Sequence, residues 1–257
     1  MEPVRSPRNQ RVAAAVRLHR ARERALAGKI LLEGPNLLEA AAAAGLTIGP
    51  VFALEDDAVT ATLAGAAGFE LVPVTQAVLD RLAPTIHPRG PVAVADVPSS
   101  TRISDQNLIV LWGVGDPGNA GTLMRTAAAF GCGVVFGPGT VDPWSPKVLR
   151  SAAGAHFRTP IELDLADLSD LTARGFRTVA AVVNDGSPPT VLDGLTTTAV
   201  LVGQEANGLP EEISAACDLR VTIPMQAGTE SLNASVAGSI LLYEMVARLG
   251  FGTPSHD

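Results

Sequence analysis

Apolar positions Val12, Val16 and Leu18 recur between arginines at helical spacing, which predicts one amphipathic helix over Arg11–Leu26. Lys29–Glu33 (KILLE) is an apolar run of strand length, and Gly34-Pro35-Asn36 breaks it. Leu37–Ala44, rich in leucine and alanine, predicts a helix that ends at Gly45. Further strands are expected at Val51–Leu54, Glu70–Val74 and Pro91–Val97, with helices over Thr60–Ala67 and Gln76–Ala83. This alternation describes a small α/β domain, closed by the polar stretches Pro98–Thr101 and Ser104–Asn107. Leu108–Trp112 opens a second series as a strand apolar on both faces, the pattern of a buried parallel sheet. A glycine-rich loop, Gly113–Gly121, leads to a helix expected over Thr122–Phe130. Strands follow at Val134–Phe136, Thr159–Leu163, Thr178–Val183, Ala199–Val202 and Leu219–Ile223. Helices fall at Val148–Ala155, Leu168–Arg174, Leu209–Ala216 and Ser231–Arg248. The chain therefore reads as two α/β domains, residues 1–98 and 104–257, the second built on a parallel sheet.

Composition fits that picture: 47% of the 257 residues are hydrophobic, 18% charged and 4% aromatic, as in a globular α/β protein. No apolar run approaches the roughly 18 residues of a membrane helix, and residues 1–11 have no apolar stretch behind them to form a secretory signal. Cys132 and Cys217 are too few and too far apart for a disulfide framework or a zinc site. A cytoplasmic protein without a metal is expected. The charge pattern adds a partner. Residues 1–29 carry eight basic side chains against Glu2 and Glu23, a net +6 in a chain of net −7, so the remainder stands at −13. Such asymmetry suggests an RNA-binding arm through Arg11, Arg17, Arg20, Arg22 and Arg24; a solvated amphipathic helix is the plainer reading of the same residues.

One motif misleads. Gly113-Val-Gly-Asp-Pro-Gly118 spells the dinucleotide fingerprint between a strand and a helix, and Asp142 follows at about the distance of a ribose-binding acid. Pro117 occupies the turn, however, and an oxidoreductase reading leaves the C-terminal stretch unexplained. Three other segments account for more. Asn119–Gly131 reads NAGTLMRTAAAFG, and Val200–Pro210 reads VLVGQEANGLP. Ile223–Glu244 reads IPMQAGTESLNASVAGSILLYE, a strand end passing through a polar loop into a helix, where backbone N–H groups and short polar side chains can hold a polar ligand.

Taken in order, these segments resemble the three signature motifs of the SpoU (TrmH) family of RNA ribose 2′-O-methyltransferases, in the SPOUT class, with Ala234 where valine is usual. The resemblance covers Leu108–Leu249; in length and layout the chain is similar to the short rRNA enzymes of the thiostrepton-resistance type. GKILLEGPNLLEA, from Gly28, resembles the small L30e-like substrate-binding domain that precedes many such catalytic domains. The resemblance implies a deep trefoil knot in the catalytic domain and a homodimer acting on RNA. It implies S-adenosylmethionine held largely by backbone groups at Gly203, Ile223 and Leu232, with Val183 and Asn184 at a neighbouring strand end. It also implies a catalytic set of Asn119, Arg125, Glu205, Ser231 and Asn233.

Guanidinium stays protonated, so Arg125 is expected to clamp a phosphate or stabilise charge on the 2′-oxygen, with Glu205 as its ion-pair partner; direct base catalysis by Glu205 is the alternative. His156 lies in no motif and is expected to be structural. The preferred substrate is 23S ribosomal RNA. Transfer RNA is one alternative, and a non-catalytic RNA-binding or ribosome-assembly protein that keeps the fold is another.

Overall fold

The computed structural model describes residues 2–83, 85, 88, 90–163 and 165–247; Arg248, the last residue of the expected closing helix, lies outside them. In chain order the elements are α1 (Gln10–Arg17), α2 (Ala21–Ala27), β1 (Lys29–Glu33), α3 (Pro35–Ala43), β2 (Ile48–Leu54), α4 (Ala58–Ala67), β3 (Leu71–Val74), α5 (Gln76–Leu82) and β4 (Val92–Asp96). There follow β5 (Leu108–Leu111), α6 (Pro117–Ala129), β6 (Gly133–Phe136), α7 (Pro146–Ala152), β7 (Ile161–Glu162), α8 (Leu168–Ala173) and β8 (Arg177–Ala181). The chain closes with β9 (Thr198–Val202), α9 (Glu211–Ala216), β10 (Leu219–Val221) and α10 (Ala234–Ala247); short 3-10 turns lie at Ala155–Phe157 and Pro189–Leu192. The fold divides into two compact units. One comprises the chain up to Ser99 together with Asp142–Phe157; the other comprises Ser100–Val141 and the chain from Arg158 onward.

The first unit holds a four-stranded mixed sheet in the order β1-β4-β2-β3, antiparallel except for the β2–β3 pair. Val12, Ala15 and Leu18 of the N-terminal segment pack with Phe52, Val72, Leu79 and Val92 in its core. The single helix expected over Arg11–Leu26 is two helices, α1 and α2. The break leaves carbonyls without helical partners, and Arg24 fills the gap. Its Nη1 donates to the Leu18 and His19 carbonyls at 2.8 and 2.9 Å, and it forms an ion pair with Asp142. His19 Nε2 donates to the Leu82 carbonyl at 2.8 Å. Arg24 is 4% exposed, so its charge is spent inside the protein and it is unavailable to bind RNA.

In the second unit six parallel strands run in the order β10-β8-β9-β5-β6-β7. All residues of β5, β6 and β9 are buried, as expected of strands covered on both faces. Leu108, Val110 and Leu201 face a core with Leu168, Leu171 and Phe176. On the other face α10 meets α6 and the sheet through Gly238, where a Cβ would lie 2.6 Å from Leu123 Cδ2 and 3.1 Å from Ile109 Cδ1. Among the described residues no helix is long and apolar enough to cross a membrane.

The sixth helix begins five residues earlier than the glycine pattern suggested. Asp116 caps it by accepting from the Asn119 N–H at 2.8 Å, and Pro117 takes the first helical position, where its missing N–H costs nothing. Asn119 and Gly121 therefore lie inside the helix rather than in a turn before it, and Arg125 sits in its middle.

Candidate functional site

The C-terminal ends of β8, β9 and β10 open onto a cavity of about 430 Å³, within the range of small-molecule sites. The carboxyl edge of a parallel sheet is where loops can converge on a ligand. Three loops do so here, residues 182–185, 203–209 and 223–232, with the start of α10 behind them. Gly203, Ile223, Leu232, Val183 and Asn184 all line this cavity, and so do Glu205 and Ser231.

The loop after β9 is shaped by close backbone approach. Gln204 N–H donates to the Gly208 carbonyl at 3.0 Å, and Gly208 N–H returns a bond to the Gln204 carbonyl at 2.9 Å. This small ring lies so tightly over Gly203 that a Cβ there would sit 2.2 Å from both Gly208 C and Leu209 N. Only glycine fits. The loop after β8 is stitched to β10 by Val182 N–H to the Val221 carbonyl (2.9 Å), Ser187 N–H to the Arg220 carbonyl (2.8 Å) and Thr222 N–H to the Ser187 carbonyl (3.0 Å). Gly186 permits that approach, because its Cβ would lie 2.7 Å from Thr222 N.

Side chains from all three motifs meet beside the cavity. Asn119 Nδ2 donates to Glu205 Oε1 at 2.8 Å, and Asn233 Nδ2 donates to Asn119 Oδ1 at 3.0 Å. Asn233 Oδ1 in turn accepts from Ser235 N–H at 2.9 Å and Ser235 Oγ–H at 2.7 Å, at the start of α10. Asn119 is 8% exposed, while Glu205 and Asn233 are exposed. The expected Glu205–Arg125 ion pair is absent: Glu205 accepts from Asn119 instead. The cause is helical phase. Six residues on from Asn119, Arg125 is turned by roughly 240° around α6, onto its exposed face. Among the described residues Arg125 has no hydrogen-bond or ion-pair partner, and it does not line the cavity.

Sequence patterns did not single out Asp116, Gly186, Gln204 or Ser235. The Asp-Pro pair at 116–117 was a legible helix start, masked by the glycines around it. Asp142, the acid that the dinucleotide reading needs, is engaged with Arg24 in the first unit. His156 is buried, its Nε2 donating to the Pro143 carbonyl at 2.8 Å, and burial pushes its pKa down to about 4. Burial also raises the thiols of Cys132 and Cys217, to about 12 and about 11, so neither is a thiolate nucleophile at neutral pH. Among the described residues no group of three or more His, Cys, Asp or Glu could hold a metal ion.

Known proteins resemble this chain over most of its length. Residues 106–243 match the SpoU rRNA Methylase family, and residues 9–93 match an MRM3-like substrate binding domain. The chain is 29% identical over 248 residues to the 23S rRNA (guanosine(2553)-2′-O)-methyltransferase RlmP of Bacillus subtilis, covering 95% of this chain and 99% of that one. It is 34% identical over 253 residues to an uncharacterized tRNA/rRNA methyltransferase of Synechocystis, covering 94% and 92% respectively. The crystal structure of an AdoMet-bound rRNA methyltransferase from Sinorhizobium meliloti superposes with a TM-score of 0.85 at 25% identity, over 97% of this chain and 99% of that one. With its three motifs joined by the Asn233–Asn119–Glu205 bonds beside the cavity and more than half its length matched by the family, this chain belongs to the SpoU rRNA methylase family.

Proposed function

We propose that this protein transfers the methyl group of S-adenosylmethionine to a ribose 2′-hydroxyl of ribosomal RNA, with large-subunit rRNA the preferred substrate. One observation carries the reading: Asn119, Glu205 and Asn233, one from each motif, form a hydrogen-bonded relay at the rim of the cavity bounded by Gly203. The B. subtilis and S. meliloti relatives, named as rRNA methyltransferases, support the choice of substrate.

The cavity fits the cofactor. Its volume of about 430 Å³ suits a nucleoside with a short tail, and Gly203 lets backbone groups approach a flat ring. Ile223 and Leu232 offer apolar walls, and Val183 and Asn184 lie at the neighbouring strand end. When bound there, S-adenosylmethionine supplies an electrophilic methyl on a sulfonium. The protein's own task is to orient the 2′-hydroxyl and stabilise charge on its oxygen. Glu205 has one oxygen committed to Asn119; the other is left to accept from the ribose hydroxyl, with the Ser231 hydroxyl on the same cavity wall. Arg125, unpaired among the described residues and facing outward, clamps the adjoining phosphate.

In this reading residues 1–98 recognise RNA and residues 104–257, apart from the Asp142–Phe157 segment that joins the first unit, form the catalytic domain. Exposed Arg17, Arg20 and Arg22 bind phosphates; Arg11 contributes less because Glu70 pairs with it, and Arg24 does not contribute. Two catalytic domains pair through the α6–α10 face, where Val236 is 45% and Tyr243 50% exposed and the Phe130 and Tyr243 rings lie 5.9 Å apart. The reading also includes a trefoil knot and a cytoplasmic location.

The test is transfer of labelled methyl from S-adenosylmethionine to 23S rRNA, with tRNA as the competing substrate. Label in rRNA alone is expected; label in tRNA alone would reassign the substrate. Cofactor binding without label in either would favour the non-catalytic reading. Arg125→Ala should lower kcat by at least about a hundredfold, as for loss of a group that positions the substrate, with cofactor affinity unchanged in calorimetry.

A further inference from the structure

The relay beside the cavity has a direction. Backbone N–H groups only donate, so those of Ser235 and Val236, at 2.9 and 3.3 Å, turn the Asn233 side chain to present Oδ1. Asn233 must then offer Nδ2 to Asn119, which accepts on Oδ1 and has only its own Nδ2 left for Glu205. Turning either amide around would set two N–H groups or two carbonyl oxygens against each other. The shortest bond in the anchoring group is the one from Ser235 Oγ to Asn233 Oδ1, at 2.7 Å. Ser235 is 5% exposed and does not line the cavity, so it does not touch a substrate there.

We propose that Ser235 is a positioning residue: its buried hydroxyl, the closest of three donors to Asn233 Oδ1, holds the Asn233 amide in the orientation that runs through Asn119 and aims Glu205 into the cavity. The start of α10 thereby sets the geometry of a carboxylate on the loop after β9, through two amides and without direct contact. Glu205 lies on an exposed loop and has, among the described residues, Asn119 as its one hydrogen-bond partner. Loosening the far end of the relay frees it. The inference rests on the methyltransferase reading for its effect on rate, but its geometric content does not.

The experiment pairs kinetics with a spectroscopic readout on full-length protein. In Ser235→Ala, kcat for rRNA methylation should fall about tenfold, the scale of one neutral hydrogen bond, with KM for S-adenosylmethionine unchanged. Ser235→Thr, which keeps a hydroxyl, should recover most of the rate. In ¹⁵N-asparagine-labelled protein the Asn119 side-chain NH₂ resonances should shift in Ser235→Ala and exchange faster with solvent, while those of Asn9 and Asn36 stay in place. An Asn119 signal unmoved by Ser235→Ala overturns the proposal. So does an unchanged kcat, or a rate loss matched by a rise in KM that marks general damage to the fold. If the wild-type protein methylates no RNA, the functional reading fails, and the Asn119 resonances alone decide the positioning role.

Discussion

Gly203 carries the most exacting steric demand on the cavity wall, because the ring closed by Gln204 and Gly208 leaves no room for a methyl group. Gly203→Ala is therefore expected to push that ring into the cavity and abolish binding of S-adenosylmethionine in a calorimetric titration, with the sheet below intact by circular dichroism. Affinity equal to wild type would remove this loop from the cofactor site. A second residue-scale consequence concerns pH. Burial lowers the His156 pKa from 6.5 to about 4, so between those values the unfolded chain binds a proton that the folded protein refuses. Stability then rises with pH across this window and is lost as pH falls through it. The loss across this window is on the order of 3 kcal/mol. Urea denaturation at pH 7 and pH 4.5 should show a smaller drop in His156→Gln than in wild type.

At the scale of elements, α6 and α10 hold the site, and their N-termini matter more than their lengths. Asp116 caps α6 through the Asn119 N–H and so sets the register at which the Asn119 side chain enters the relay. Asp116→Ala should cost about 1 kcal/mol by the urea midpoint, as for loss of an N-cap, and should lower methylation more than an equally destabilising change elsewhere. Strands and most helices were legible in the sequence, because β5, β6 and β9 are short apolar runs and the helices between them end at glycines or polar caps. Two of the helix differences have local causes. At α6 the glycines of 113–121 hid an Asp-Pro start; at α1–α2 an unbroken amphipathic pattern hid a break that a distant acid, Asp142, stabilises through Arg24. The cofactor positions, carried by the motif resemblance, all line the cavity, whereas the Glu205 partner was misassigned because pairing depends on helical phase once the true start of α6 is known. No pattern in the chain announces that Ser187 pairs with Val221 or that Asp142–Phe157 joins the first unit, since both are contacts between distant segments.

For the molecule as a whole, net charge of −7 conceals a basic N-terminal segment, and the structure separates its exposed arginines from the buried Arg24. Replacing Arg17, Arg20 and Arg22 by alanine should weaken RNA binding and flatten the plot of log affinity against log salt by up to about 0.7–0.9 per arginine. Arg24→Ala, which strands Asp142 and the Leu18 and His19 carbonyls, should lower thermal stability instead and leave the salt slope in place. Equal effects of the two variants on the salt slope would contradict the assignment. The central claim is the atom that receives the methyl group. Labelled rRNA product digested to nucleosides and resolved by mass spectrometry decides it: a 2′-O-methylnucleoside is the predicted product, and a methyl group on a base would contradict the account.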